Sequence, residues 1–107
     1  MNKRIFILGL FTLLQQTLYA AIVDTVETYS PSMQKTIKAV VIRPDNYSKI
    51  NALPVVYLLH GYSGNYADWI TKAKGFEKLA DQYEMMIVCP DGAYGSWYWD
   101  SPADPAY

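Results

Sequence analysis

The residue types that could do chemistry gather in two stretches of this 107-residue chain, one from His60 to Asn65 and the other from Asp91 to Pro102. In the first, Gly61-Tyr62-Ser63-Gly64-Asn65 nearly spells G-x-S-x-G, the spacing that lifts a nucleophilic serine to the tip of a strand-to-helix turn; Asn65 spoils the match. A serine hydroxyl attacks a carbonyl only when a base takes its proton and a carboxylate orients that base. The sole histidine, His60, ends the same strand three positions before Ser63. The reading therefore disfavours Ser63 as nucleophile and gives His60 a structural, hydrogen-bonded role. One cysteine, Cys89, allows no internal disulfide and argues against a Cys/His metal site, so neither metal nor cofactor is expected.

These residues need elements to hold them. Ile22 to Tyr29 reads as a short edge strand broken at Ser30-Pro31-Ser32. Gln34 to Arg43 alternates, with Ile37, Ala39 and Val41 on one face and Thr36, Lys38, Val40 and Ile42 on the other, until Pro44 stops it. Leu53 to His60 is instead a continuous apolar run, the pattern of a central, parallel strand covered on both faces. Phe76, Leu79, Ala80 and Tyr83 recur at i, i+3, i+4 and i+7 and predict an amphipathic helix of about two to three turns. Met85 to Cys89 is a second apolar run, closed by Pro90 and a turn at Asp91-Gly92. Strand, loop, helix, strand is a crossover unit, so the fold class is α/β. Ligands of such sheets bind beyond the carboxyl ends of the strands, which puts both chemical stretches on one rim.

The start of the chain has another purpose. Lys3 and Arg4, the apolar stretch Ile5 to Leu14 and the exit Tyr19-Ala20-Ala21 fit a secretory signal over residues 1–20. The apolar stretch is shorter than the roughly 20 residues of a spanning helix, so cleavage is favoured over anchoring, with no membrane partner afterwards. Residues 21–107 are then left, small for one domain and with no internal disulfide, which hints at an incomplete fold. Nine basic against ten acidic residues, without runs of one sign, offer nucleic acid no footprint. Ten Tyr and three Trp suit a core, a sugar-facing surface or an acyl pocket. Asn46-Tyr47-Ser48 matches a glycosylation acceptor, a pattern common by chance.

Leu58-Leu59-His60-Gly61, Trp69, Pro90-Asp91-Gly92 and Ser96-Trp97-Tyr98-Trp99-Asp100-Ser101-Pro102, in that order, resemble the esterase D group of α/β-hydrolases. That group holds S-formylglutathione hydrolases, feruloyl and tributyrin esterases and mycolyltransferases, and the likeness runs from about Val26 to Pro102. The resemblance implies the N-terminal portion of an α/β-hydrolase fold: two lead strands, then central parallel strands with a crossover helix. It also implies that the backbone N–H after His-Gly, here Tyr62, belongs to an oxyanion hole, with Gly61 letting the loop backbone come close. A fixed amide there stabilises the tetrahedral oxyanion more than the neutral ester. By the same resemblance Trp97, Tyr98 and Trp99 line the acyl or alcohol side of the site; packing of these rings against the helix is the equally open alternative. The group's nucleophilic serine, acid and histidine follow in that chain order, and none can be placed before Tyr107.

The expectation is thus an exported serine carboxylic-ester hydrolase, periplasmic or extracellular, acting through an acyl-enzyme on small-molecule or polysaccharide-linked esters such as feruloyl or acetyl groups. The chain itself is expected to be a fragment that holds the oxyanion loop and is inactive alone. A rival reading is an exported, non-catalytic module whose Trp and Tyr residues bind carbohydrate. A small β-rich interaction protein is disfavoured, because such apolar strands need helices on both faces.

Overall fold

The computed structural model describes residues 20–50, 52–99 and 101–103; the signal expected over residues 1–20 falls, but for Ala20, outside them. Among the described residues four strands form one sheet: β1 (Ile22–Ser30), β2 (Lys35–Arg43), β3 (Val55–Tyr57) and β4 (Met86–Pro90). Their order is β1-β2-β4-β3. Two short helices, α1 (Asp68–Lys72) and α2 (Lys78–Gln82), lie between β3 and β4, and a 3-10 turn spans Tyr47–Lys49.

β1 and β2 form a long antiparallel hairpin, paired from Ile22 with Arg43 to Ser30 with Lys35. β1 is the expected edge, though nine residues long. Gln34, read as the first residue of β2, belongs to the turn instead, with φ of 51° in the left-handed region. The alternation of β2 is realised unevenly: Val40 and Ile42 are buried, while Thr36 and Lys38 on the same face are exposed. The reason is the neighbour. β4 pairs antiparallel with β2 only from Ala39 to Ile42, setting Val40 opposite Cys89 and Ile42 opposite Ile87. All four are at most 4 % exposed, and Ala80 of α2 completes the core. Phe76, Trp69, Ile70, Tyr66 and Leu58 pack around them half-buried.

β3 runs parallel to β4, as its apolar run suggested, with Val55 opposite Met86 and Tyr57 opposite Val88. Among the described residues, however, β3 is the edge of the sheet and not its centre. Val55, Val56 and Tyr57 are all exposed, because no described strand pairs with the far side of β3.

The crossover holds two corrections. The helix expected from Phe76 to Tyr83 is a single five-residue turn. Gly75 before it (φ 82°) and Glu84 after it (φ 47°) sit in the left-handed region and bound it closely, and Glu77 gives it no side-chain cap. Of its expected face, Ala80 is buried and Phe76 half-buried, while Leu79 and Tyr83 are exposed. α1 was not expected at all. It is framed by Asn65, whose Oδ1 accepts the Ala67 N–H at 2.8 Å, and by the Asp68–Lys72 ion pair at 2.7 Å one turn apart. That lysine holds the Asp68 carboxyl below its ordinary range.

Candidate functional site

The site begins where the β3–β4 ladder stops. Met86 N–H donates to Pro54 O and Leu58 N–H to Val88 O, both at 2.9 Å. With the two-residue period of a parallel ladder, the next rungs would run from residue 90 to Leu58 O and from His60 to the carbonyl of residue 90. Residue 90 is proline and has no N–H, so the first of these cannot form. The second is interrupted by a side chain. Tyr98 Oη accepts the His60 N–H at 3.0 Å and donates to Pro90 O at 3.0 Å. Burial pushes this phenol above its ordinary pKa, so it keeps the proton it donates. The two strand ends therefore part, with one hydroxyl between them.

His60 ties the two loops that leave those ends. Its side chain is 3 % exposed. Gly92 N–H donates to Nε2 at 3.0 Å, which leaves Nδ1 to carry the proton and donate to Gly61 O at 2.8 Å. Asp91 Oδ1 lies 3.3 Å from Nε2 and accepts the Ala93 N–H at 2.9 Å. With both ring nitrogens committed to backbone, His60 offers Ser63 no base. Ser63 has the left-handed backbone of a strained turn (φ 60°) and its N–H donates to Tyr94 O at 3.0 Å, but no described group hydrogen-bonds its hydroxyl.

The remaining backbone of the loop is held in the same way. Trp69 Nε1 of α1 donates to Leu59 O at 3.3 Å, and Gly64 N–H to Gly61 O at 3.0 Å. The N–H groups of Gly61 and Tyr62 donate no hydrogen bond among the described residues. Beside them is a cavity of about 240 Å³, bounded by His60, Gly61 and Tyr62 on one side and by Ala93 to Gly95, Trp97 and Tyr98 on the other. The Tyr62 ring closes part of its rim, stacked on Trp97 (6.0 Å, 22°) and edge-on to Tyr94 (5.2 Å). A larger cavity of about 720 Å³ opens on the β2 side, between Lys35–Lys38 and Asp91–Ala93, with Trp99 at its border. The Tyr98 ring belongs to both walls.

The expected site residues are thus brought to one rim, in different capacities. Trp97 and Trp99 are 73 % and 69 % exposed, so neither is packed away against a helix. The hydroxyl of Tyr98 is used inside the protein, which leaves its ring as the wall. Asp100 lies outside the described residues. Around Gly61 a Cβ would meet nothing within 4 Å, and the steric demand falls on Gly64 and Gly92 instead. A Cβ on Gly92 would come within 2.5–2.8 Å of the Tyr98 ring. Gly92→Ala is accordingly expected to cost about 1–3 kcal/mol by overpacking, read from the urea midpoint, while Gly61→Ala stays within about 0.5 kcal/mol. Equal midpoints for the two variants would contradict this arrangement.

Among the described residues no group of three His, Cys, Asp or Glu side chains is placed to hold a metal ion, and no helix is long and apolar enough to cross a membrane. The Cys89 thiol of β4, buried opposite Val40 of β2, is pushed up in pKa by that burial, which disfavours the thiolate.

Comparison with known proteins gives this rim a lineage. The model of the family described as "Putative esterase" matches residues 30–105, most of the chain. The chain belongs to this esterase family. An acetyl esterase of Caldicellulosiruptor saccharolyticus is 40 % identical over 55 residues, 51 % of this chain and 20 % of the relative. A ferulic acid esterase from Anaeromyces mucronatus, solved with ferulic acid, superposes with a TM-score of 0.60 at 23 % identity, over 75 % of this chain and 31 % of its own. The S-formylglutathione hydrolase of Staphylococcus aureus gives 0.56 at 19 %, over 68 % and 31 %. At these identities the structural matches establish the α/β-hydrolase esterase fold, and the chain spans a fifth to a third of the length of these relatives.

Proposed function

We propose that this chain is the oxyanion-loop portion of an exported serine carboxylic-ester hydrolase, in which the Tyr62 N–H receives the negative charge that develops on the ester carbonyl. One observation carries the reading: beyond the carboxyl end of β3 the His60 N–H and the Leu59 and Gly61 carbonyls are tied down, while the adjacent N–H groups of Gly61 and Tyr62 have no described partner and adjoin a cavity. A preorganised, unspent donor of this kind is worth more to the transition state than to the substrate. Gly61 continues the same loop beside it. The nucleophile, acid and base belong to segments of the complete protein outside this chain, since the one histidine is committed to Gly61 and Gly92.

Acyl groups on polysaccharides are the proposed substrates. Kinship with an acetyl esterase, the fold of a ferulic acid esterase and the exposed Trp97 and Trp99 support this choice. Such indoles stack on sugar rings, which also supports the second reading, a secreted carbohydrate-binding module without catalysis.

A fluorophosphonate probe, which phosphonylates activated serines with loss of fluoride, separates the readings. The complete protein is expected to be labelled stoichiometrically and to hydrolyse methyl ferulate or an aryl acetate, whereas the 107-residue chain is not labelled. Labelling of that chain, lost in Ser63→Ala, would restore Ser63 as the nucleophile. A complete protein that holds insoluble polysaccharide but neither reacts with the probe nor cleaves an ester would establish the binding module.

A further inference from the structure

We propose that Tyr98 is a positioning residue for the oxyanion loop: its hydroxyl stands in for the missing rungs of the β3–β4 ladder and fixes how far the His60–Tyr62 segment departs from β4. This rests on the esterase reading above.

The geometry assigns the hydroxyl a task that no neighbouring group can take over. Because Pro90 lacks an N–H, one of the two backbone rungs at this point cannot form, and the other, from His60 N–H to Pro90 O, is replaced by the phenol. What spans the gap is His60 N–H to Tyr98 Oη to Pro90 O, with 3.0 Å in each step. The ring is fixed in turn. It lies on Gly92, whose missing side chain leaves the space it fills, and it meets the His60 imidazole at 5.3 Å between centroids. His60 then holds the Gly61 carbonyl, the group that precedes the Tyr62 amide. One chain of contacts therefore leads from Tyr98 to the peptide bearing the proposed donor.

The loop carrying Tyr98 is itself under strain that ordinary packing would not retain. Trp97 and Tyr98 both have φ of 56°, and Ala93 on the same side of the cavity has 59°. Consecutive bulky residues in the left-handed region are disfavoured and persist where the surroundings over-determine them. Here the conformation delivers the phenol to the strand gap.

The distinguishing experiment uses the complete protein. In Tyr98→Phe the ring stays as the shared cavity wall but the hydroxyl is lost. The expected result is a fall in kcat of about 10- to 100-fold, the scale of a donor misplaced by up to 1 Å, with KM changed less than twofold. Incorporation of a fluorinated tyrosine at position 98 gives a second readout that does not depend on that variant folding. Its phenol ionises at lower pH, can then no longer donate to Pro90 O, and should make kcat fall as it ionises, over a range where the wild type is flat. An active wild type with unchanged kcat in Tyr98→Phe, or with no new pH limb in the fluorinated protein, overturns the positioning role alone. A wild type that cleaves no ester and takes no fluorophosphonate overturns the esterase reading and this role with it.

Discussion

Tyr62→Pro in the complete protein is expected to lower kcat for ester hydrolysis by about 10²–10³-fold, the loss that follows removal of one oxyanion donor. Proline deletes the N–H. That N–H makes no hydrogen bond among the described residues, and the backbone at 62 is not in the left-handed region, so a ring at this position breaks no described bond. The side chain is also lost, together with its stacking on Trp97 and Tyr94. Tyr62→Ala is therefore the necessary partner: it loses the same ring but retains the amide, and should keep kcat within about tenfold of wild type while KM rises. If both variants fall equally, the side chain and not the amide carries the effect, and the oxyanion assignment of Tyr62 is lost.

Ile42→Ala should produce the largest change in stability, about 2–5 kcal/mol. Ile42 is fully buried and sits directly across the β2–β4 ladder from Ile87, itself 1 % exposed. The methyl groups removed lie beside Ile87 in the buried cluster that Ala80 completes, so the surroundings have little freedom to collapse. Against the 5–15 kcal/mol typical of whole domains, this is a large share. Leu79→Ala is the comparison, since that side chain is 37 % exposed and should cost much less. Urea midpoints that do not differ between the two would show that the core is not where the burial pattern puts it.

How much of this could be read from the residues depends on how local the cause is. The hairpin was legible because alternation from Thr36 to Ile42 and the break at Pro31 act within a few positions. The parallel pairing of β3 with β4 followed from two apolar runs joined by a crossover. The length of α2 was not legible, because its periodic face described a potential contact, and of that face Ala80 alone is fully buried on the sheet, with Phe76 half-buried beside it. For α1 there was a signal that periodicity alone does not capture: Asn65 ahead of Ala67, and Asp68 four residues before Lys72.

At the site, residue types pointed to the right rim but not to the tasks. That His60 is structural followed from its being alone, whereas its bond to Gly92 links positions 32 residues apart and has no sequence signature. The same holds for the Tyr98 hydroxyl: neither a ring lining the acyl or alcohol side nor a packed ring foretold its bridge from His60 to Pro90. Gly92 shows the general difficulty. Its place in a turn was evident, but the reason for a glycine is a ring six residues further on.

Pro90 deserves a last physical remark for what it withholds. Parallel strands close by zipping, each new bond drawing the next pair of residues together, and nothing in an unbroken polyamide says where that should end. An imino acid at this register makes the loss of one rung a matter of covalent structure, and the one backbone donor left, the His60 N–H, is taken by the Tyr98 hydroxyl. The opening thus has two origins, a donor that the covalent structure omits and a donor that an arriving side chain diverts.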